Sequence, residues 1–469
     1  MFTKEKFPGL LALGIFTFMS TLDGSIVNIA LPSMAREMHL DMGQVTWSVT
    51  IYLVVISGLI LLFGRLGDLI GKTKIFSYGS LLFTFGSLLA GINLGLYFLL
   101  FARIIQAIGA SMTMSNSFGI TSQLFEPKIR ARAMSIMSMF VSLGSIAGPA
   151  IGGFILQIAS WSYIFWINVP LGVVAYLIGR KALPKDEGAG TIKDADLLGA
   201  TQMFLTVVTF FVAVSLGQAQ GFTTVPVILS FLAMIGLLVW FIHTEKTVEK
   251  PLLNLGIFKS KLFTISVITS MTMFTAGSFV NILMPFYLQN FRACAAGFAG
   301  IVMMAYPVGM FIFSPISGVL SDKFDKEIIT FLGISGVLVV QFGYLIIGGT
   351  TALILVMVFL FAHGASVGFF QSPNNALVMS TVENRFLGIA GSVNALGRNL
   401  GFVLGTTFAT TVLFVSMSSQ MGHRVSGYVK SRPEVFLNGM HVAFYVAFAL
   451  VIVAWLMSGY RLLTRKKSA

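Results

Sequence analysis

The chain has 469 residues, of which 56% are apolar and 10% charged, and its mean hydropathy is +0.90. Because about a quarter of the residues in soluble domains are charged, this composition excludes a soluble protein and predicts a membrane protein. The net charge is +13, but the positive residues form no stripe or tail, so no nucleic-acid partner is expected. The single cysteine, Cys294, excludes an intramolecular disulfide and a cysteine-based metal site.

Apolar runs of at least about 17 residues predict fourteen membrane-spanning helices. In chain order they lie near residues 8–31, 47–66, 74–94, 96–122, 132–158, 162–181, 197–217, 223–243, 262–288, 296–320, 328–348, 351–373, 386–416 and 438–460. A transmembrane β-barrel would show alternation over segments of about ten residues, whereas these runs are unbroken. The predicted fold class is therefore an all-α integral membrane protein.

The distribution of positive charge predicts the topology. With the N-terminus inside, 23 of the 30 Lys and Arg residues fall on the cytoplasmic side and five fall outside. Short cytoplasmic loops of membrane proteins carry an excess of Lys and Arg. We therefore expect a multi-pass protein of the cell membrane with both termini in the cytoplasm.

One stretch of the chain occurs twice. Asp23 to Pro32 returns 253 residues later as Ala276 to Pro285, with six of ten positions identical. The copies differ in charge, because Ala276 replaces the only carboxylate. Further pairs at nearly the same offset are Gly144, Gly148 and Gly152 with Gly397, Gly401 and Gly405, and Gly64 and Asp68 with Gly318 and Asp322. The repeat predicts two halves built on one scaffold.

The offset spans eight predicted helices, which is an even number, so the two halves have the same orientation. Parallel repeats of this kind occur in transporters whose halves move about a central site. We predict a first six-helix bundle over residues 1–182 and a second over residues 262–469. Residues 183–261 contain linkers and two inserted helices.

A glycine-rich loop follows the second predicted span and reads Gly64-Arg-Leu-Gly-Asp-Leu-Ile-Gly-Lys-Thr-Lys74. Asp68 in this loop can cap the start of span three or pair with a basic residue on a neighbouring helix. Such a pair would be a latch that breaks when the inner face opens. The predicted gate consists of Gly64, Asp68, Gly71, Lys72, Lys74 and, in the second copy, Asp322. A basic loop that only sets topology is the alternative, and it does not explain the glycine and aspartate spacing.

This loop resembles the signature loop of the major facilitator superfamily. Three further stretches resemble motifs of its fourteen-span drug:proton antiporter subfamily, namely Leu22–Pro32, Arg103–Gly109 and Gly144–Gly153. The resemblance implies a major-facilitator fold and multidrug efflux driven by protons. Ala107 stands where a glycine is usual, and Ser162 stands where an arginine is often found, so no role of that arginine is carried over.

Asp23 is the predicted proton-coupling residue. It lies nine residues before Pro32, which is roughly 13 Å below the outer end of its helix and near the membrane midplane. An ionised carboxylate there costs at least about 2.5 kcal/mol, so Asp23 should face a cavity, pair with a cation or be protonated. Arg103 keeps its proton and is the predicted counter-charge. A carboxylate that only hydrogen-bonds neighbouring helices is the alternative, and the loss of the charge at Ala276 argues against it.

Small residues recur four apart on the fifth span, where they permit close helix packing around a proline bend. This predicted antiporter glycine face consists of Gly144, Gly148, Pro149, Gly152 and Gly153. The resemblance implies that such a face belongs to exporters. Weaker candidates for the substrate cavity are Gln106, Asn116, His363, Asn394 and Arg398.

The sequence predicts proton-coupled efflux of hydrophobic, cationic or zwitterionic drugs by alternating access, with antibiotic resistance as a consequence. A dedicated metabolite or lipid exporter of the same fold is one alternative, and a non-transporting receptor or scaffold is another. No enzyme is predicted, because no metal cluster, nucleotide loop or nucleophile and base pair is recognisable. We expect no cofactor besides the proton gradient, small-molecule drugs and the lipid bilayer as partners, and function as a monomer.

Overall fold

A computed structural model describes residues 6–40, 42–185, 190–191, 194–294, 296–383, 386–423, 425, 428–429 and 431–464. The α-helices in this part of the chain are α1 (Phe7–Glu37), α2 (Met42–Ile70), α3 (Lys72–Ala90), α4 (Leu96–Leu124), α5 (Arg130–Ile158), α6 (Tyr163–Trp166), α7 (Asn168–Ala182), α8 (Leu197–Gln220), α9 (Val225–Thr247), α10 (Lys261–Phe286), α11 (Ala296–Met303), α12 (Ala305–Lys323), α13 (Lys326–Leu345), α14 (Leu353–Ser380), α15 (Leu387–Met421) and α16 (Pro433–Leu463). A short 3₁₀ helix (Leu255–Lys259) precedes α10, and a π-helix (Tyr287–Phe291) follows it. The all-α prediction is confirmed.

Thirteen helical segments within the described ranges are long and apolar enough to cross a membrane. The one remaining predicted span, 74–94, forms α3 but is not among these thirteen segments. Lys72, Lys74 and several Ser, Thr and Gly residues lower the hydropathy of this 19-residue helix. Glycines of α3 instead pack closely on α4, since an added Cβ on Gly79 or Gly86 would overlap residues of α4.

The two prolines that end the repeated stretch, Pro32 and Pro285, have different positions within their helices. The first candidate membrane span is Phe7–Leu31, which agrees with the predicted 8–31, and α1 itself continues through Pro32 to Glu37. Proline is tolerated inside membrane helices when neighbouring groups satisfy the freed backbone. In the second copy, α10 ends one residue after Pro285 and continues as the π-helix. Asp23 therefore lies one residue from the centre of the 31-residue helix α1.

The chain divides into two compact units. The first comprises Met1–Ser260 and Val378–Leu396, and the second comprises Lys261–Leu377 and Gly397–Ala469. Helices α1 to α9, including the inserted pair α8 and α9, thus belong to the first unit. The end of α14 and the first residues of α15 also belong to it.

Glycine contacts establish which parts of the repeat correspond. Gly144 of α5 packs on the backbone of Phe18 in α1, and Gly401 of α15 packs on the backbone of Met271 in α10. Phe18 and Met271 are 253 residues apart, so Gly401, and not the predicted Gly397, takes the place of Gly144. The predicted pairing is therefore wrong by four residues, or about one helical turn. Sequence letters alone could not detect the shift because the glycines themselves recur every four residues.

Candidate proton-coupling and gating sites

Asp23 and Arg103 form a buried ion pair in the first unit. Arg103 Nη1 donates to Asp23 Oδ2 at 2.7 Å, and the two side chains are 1% and 0% exposed. The other carboxylate oxygen, Oδ1, accepts a hydrogen bond from Gln106 Nε2 at 2.8 Å. Arg103 and Gln106 lie three residues apart and share one face of α4. The predicted cation partner of Asp23 is present, while its role in proton coupling stays a prediction.

Arg103 is held by several groups besides the carboxylate. Its Nε donates to the backbone oxygen of Ser48 at 3.0 Å, and its Nη1 also donates to Gln106 Oε1 at 2.5 Å. Its guanidinium carbon lies 4.1 Å from the centre of the Tyr52 ring and 5.5 Å from that of Phe165. Aromatic faces attract a guanidinium through their quadrupole. Arg103 therefore has several contacts that do not involve the Asp23 carboxylate.

Two members of this cluster were not predicted. Asn168 Nδ2 lies 3.4 Å from Asp23 Oδ1, and Ser87 Oγ accepts a hydrogen bond from Gln106 Nε2 at 2.9 Å. No spacing within the sequence links either residue to Asp23. Their only signal was that polar residues in membrane helices tend to hydrogen-bond across helices.

The cluster lies near one end of the helices that surround α1. Arg103 is seven residues after the start of α4, or about 10 Å along the helix axis. Asn168 begins α7, and Ser87 lies three residues before the end of α3. The predicted position at the midplane stays a prediction, although Arg103 and Ser87 lie toward the ends of their helices. In the predicted topology these are the outer ends.

The carboxylate of Asp68 binds the start of α15. Its Oδ1 accepts a hydrogen bond from the Gly388 N–H at 2.8 Å, and its Oδ2 accepts one from the Ile389 N–H at 2.9 Å. Lys72 Nζ lies 2.8 Å from Oδ1 in a buried ion pair. The first N–H groups of a helix have no partner within it and carry partial positive charge, so they favour a carboxylate. Asp68 thus caps α15 and not span three, and its predicted pairing with a basic residue is confirmed.

The glycines of this loop permit the close approach of α2 to the start of α15. An added Cβ on Gly64 would overlap the side chain of Ser392, and Gly71 has a φ of +116° at the turn between α2 and α3. Such a φ is easily adopted only by glycine. Lys74 is exposed. Asp322 is partly buried near the end of α12 in the second unit.

Three residues of the predicted glycine face pack on the segment of α1 that carries Asp23. Gly144 meets the backbone of Phe18 and Leu22, and an added Cβ on Gly148 would overlap the Ser25 hydroxyl. Gly152 meets Ile26, whereas an added Cβ on Gly153 would have nothing within 4 Å, so Gly153 does not share this contact with α1. Pro149 belongs to α5, and its side chain lies outside those the structure describes.

The five cavity candidates are divided between the two units. Gln106 belongs to the Asp23 cluster, while Asn116 donates to the Phe63 oxygen at 3.1 Å and so links α4 to α2. His363 Nδ1 lies 3.3 Å from the Tyr344 hydroxyl. Asn394 and Arg398 lie one turn apart on α15 and belong to different units. Asn116 and His363 therefore make interhelical packing contacts.

Residues 13–406 match the family model of the Major Facilitator Superfamily. The chain therefore belongs to this superfamily, and it is a multi-pass membrane transporter, not an enzyme. Its fold is similar to that of the proton:xylose symporter XylE, with a TM-score of 0.67 and 14% identity over 96% of this chain and 94% of that one. The predicted major-facilitator fold is thus confirmed.

Two similar proteins have names that describe different transported compounds. The riboflavin transporter RibZ of Clostridioides difficile (strain 630) is 31% identical over 467 residues, covering 99% of each chain. The multidrug export protein EmrB of Escherichia coli (strain K12) is 28% identical over 413 residues, covering 86% of this chain and 79% of that protein. Similarity to both proteins does not identify the transported substrate of this chain.

Proposed function

We propose that this transporter is a proton-driven drug exporter of the fourteen-span drug:proton antiporter subfamily. The observation that carries the proposal is the buried ion pair between Asp23 and Arg103. A buried ion pair is a poor source of stability compared with well-packed apolar residues, so a function outside packing accounts for it better. The glycine face of α5 packs on the same segment of α1, so a change at Asp23 is transmitted directly to a neighbouring helix.

In this proposal, a proton that enters from the outer side binds the Asp23 carboxylate. The neutral acid no longer attracts Arg103, which stays on the Ser48 oxygen, Gln106 and the Tyr52 ring. Loss of this attraction favours the state that opens inward, where the proton leaves and a drug binds. The carboxylate then binds Arg103 again, and the drug is released outside. One proton is carried in each cycle, since Asp23 is the acidic group of this cluster.

Asp68 supplies the proposed inner gate. Its hydrogen bonds to Gly388 and Ile389 hold the start of α15 within the first unit, together with the ion pair to Lys72. Opening the inner face by alternating access requires that these contacts break. The remaining gate residues, Gly64, Gly71 and Lys74, permit or flank this contact.

The proposed substrates are hydrophobic, cationic or zwitterionic drugs. The chain has 44 Phe and 24 Met residues, and such side chains provide adaptable apolar surface for ligands of different shape. We place the transporter in the cell membrane as a monomer, with both termini in the cytoplasm. The proton gradient is its energy source, without a cofactor or nucleic acid.

A dedicated metabolite exporter is the second candidate. It is favoured by the 31% identity over 99% of the chain to a protein named as a riboflavin transporter. The two candidates differ in breadth of substrate, because a dedicated exporter should move one compound and reject unrelated dyes. Competition between chemically unrelated substrates would support drug export.

The test is efflux from proteoliposomes with an imposed pH gradient, using a panel of dyes, antibiotics and riboflavin. Asp23→Asn should abolish gradient-driven efflux, because the amide cannot take up a proton, while substrate exchange without a gradient remains. Asp194→Asn is the matched control, since Asp194 forms a surface pair with Lys250 at 2.7 Å. Full gradient-driven efflux by Asp23→Asn would refute proton coupling at this residue.

A further inference from the structure

Two carboxyl groups face each other at one end of the inserted helices. Asp196 immediately precedes α8, and Glu245 lies in the last turn of α9. An added Cβ on Gly199 would lie 2.5 Å from Asp196 Oδ2 and would overlap Glu245 Oε1. Both oxygens therefore occupy the same small space beside Gly199.

The other oxygen of each carboxyl group is fixed by a backbone N–H. Asp196 Oδ1 accepts a hydrogen bond from Gly199 at 2.8 Å, and Glu245 Oε2 accepts one from Leu253 at 2.8 Å. The facing oxygens have no hydrogen-bond partner among the residues that the structure describes. Because Glu245 is 5% exposed, water has little access to supply the missing donor.

A third acceptor on the same pair of helices also lacks a donor. Gln202 Nε2 donates to Thr244 Oγ1 at 2.9 Å and so joins α8 to α9. Gln202 Oε1 is buried and has no hydrogen-bond partner within the described ranges. Gln202 lies one turn beyond Gly199 on α8, and Thr244 is adjacent to Glu245. The environment of the carboxyl pair is therefore rich in acceptors.

We propose that Asp196 and Glu245 bind one proton between them and form a proton site that is separate from Asp23. Two ionised carboxylates at this distance repel each other, and burial adds the cost of desolvation. A single shared proton turns one group into the donor that the facing oxygen lacks. The pair then titrates as a unit, as closely coupled carboxyl groups do.

A proton fits this space better than a metal ion. Calcium takes six to eight oxygen ligands, and magnesium requires a near-octahedral set. The described residues contain no group of three or more His, Cys, Asp or Glu side chains that could hold a metal. Arg65 on α2 acts electrostatically on Glu245, so a positive charge already faces the pair. The loop after α9 contributes the N–H of Leu253.

The pair is placed to influence the gate. Helix α2 packs closely on α8, where an added Cβ on Gly58 would meet Phe204, and the Leu69 oxygen accepts a hydrogen bond from the Gly190 N–H at 2.9 Å. Arg65 lies three residues before Asp68 on α2. Binding or loss of the shared proton thus changes the charge facing the helix that caps α15. This inference does not depend on drug export, because the proton site can be tested on the purified transporter.

The test uses amide substitutions that mimic the protonated acid. In Glu245→Gln, the new amide can accept from Leu253 and donate to Asp196, and in Asp196→Asn it can accept from Gly199 and donate to Glu245. Each single variant should therefore unfold at a temperature close to that of the wild type. The double variant brings two NH₂ groups together, and it should unfold about 2 °C or more below either single variant, because buried donors are left unpaired.

Infrared difference spectra between the wild type and each variant provide a second measurement at neutral pH. The carbonyl band of a protonated carboxyl group should be present in the wild type and absent in both single variants. Glu249→Gln, which changes an exposed carboxylate in the following loop, should retain the band. An unchanged band in both single variants would overturn the proposal. It would also be overturned if sodium or magnesium raised the unfolding temperature of the wild type and not of Glu245→Gln.

Discussion

Replacement of Arg103 tests how much an unpaired Asp23 carboxylate lowers the stability of the folded protein. Arg103→Met retains most of the side-chain length and removes the charge, which leaves the carboxylate without its counter-charge. Breaking a buried pair by removing one partner costs about 3–5 kcal/mol, because the remaining charge stays desolvated. Asp23→Asn in the same background should recover most of this loss. The two changes should therefore be strongly non-additive in a double-mutant cycle.

The assay is thermal unfolding of the purified protein in detergent for the wild type, both single variants and the double variant. Arg432→Met is the matched control, because Arg432 forms an exposed pair with Glu434 at 3.1 Å. Such a surface pair is worth about 0–1 kcal/mol, so this control should change little. Lowering the pH should reduce the loss in Arg103→Met, because a protonated Asp23 needs no counter-charge. Additive effects of the two substitutions would refute the reasoning.

Three further predictions follow from single contacts. Asp68→Asn leaves the buried Lys72 without a counter-charge, and a cysteine label on the start of α15 should become more accessible. Gly148→Ala should lower the unfolding temperature because the methyl group overlaps Ser25, while Gly153→Ala should not. Lys250 and Thr191 donate hydrogen bonds that hold the pKa of Asp194 below its ordinary value. Lys250→Met should raise that pKa in an NMR titration. The stability from the pair should be present above the ordinary pKa and lost as the pH falls through the lowered one.

The sequence contained enough information for the fold and for the central ion pair. Long apolar runs require helices, because a membrane offers no partner for unpaired backbone groups. Asp23 and Arg103 could be paired in advance, because opposite charges in membrane helices need each other. The continuation of α1 beyond Pro32 to Glu37 could not be predicted, because a proline often ends a helix.

Contacts between distant parts of the chain could not be predicted from the sequence. Asp68 has a local lysine four residues on, which explains why the ion pair was predictable. Its bonds to Gly388 and Ile389 join residues about 320 positions apart, and backbone N–H groups carry no sequence signature. Asn168 and Ser87 were missed for the same reason, since each becomes a partner only through the packing of α7 and α3 in the first unit.

The repeat now defines which position of the second unit corresponds to the ionic cluster. Gly79 of α3 packs on Met112 of α4, and Gly333 of α13 packs on the peptide group between Phe369 and Phe370 of α14. Six residues before these contacts lie Gln106, which binds Asp23, and His363, which pairs with a tyrosine hydroxyl.

Ala276 occupies the place of Asp23 in this comparison, and Leu360 occupies that of Arg103. The Asp23–Arg103 ion pair joins α1 to α4, whereas the hydrogen bond of His363 with Tyr344 joins α14 to α13. Because the scaffold forms without the charges, their desolvation cost in the first unit is not required by packing. The presence of these charges in one copy and their absence from the other therefore supports the proposal that Asp23 and Arg103 serve transport.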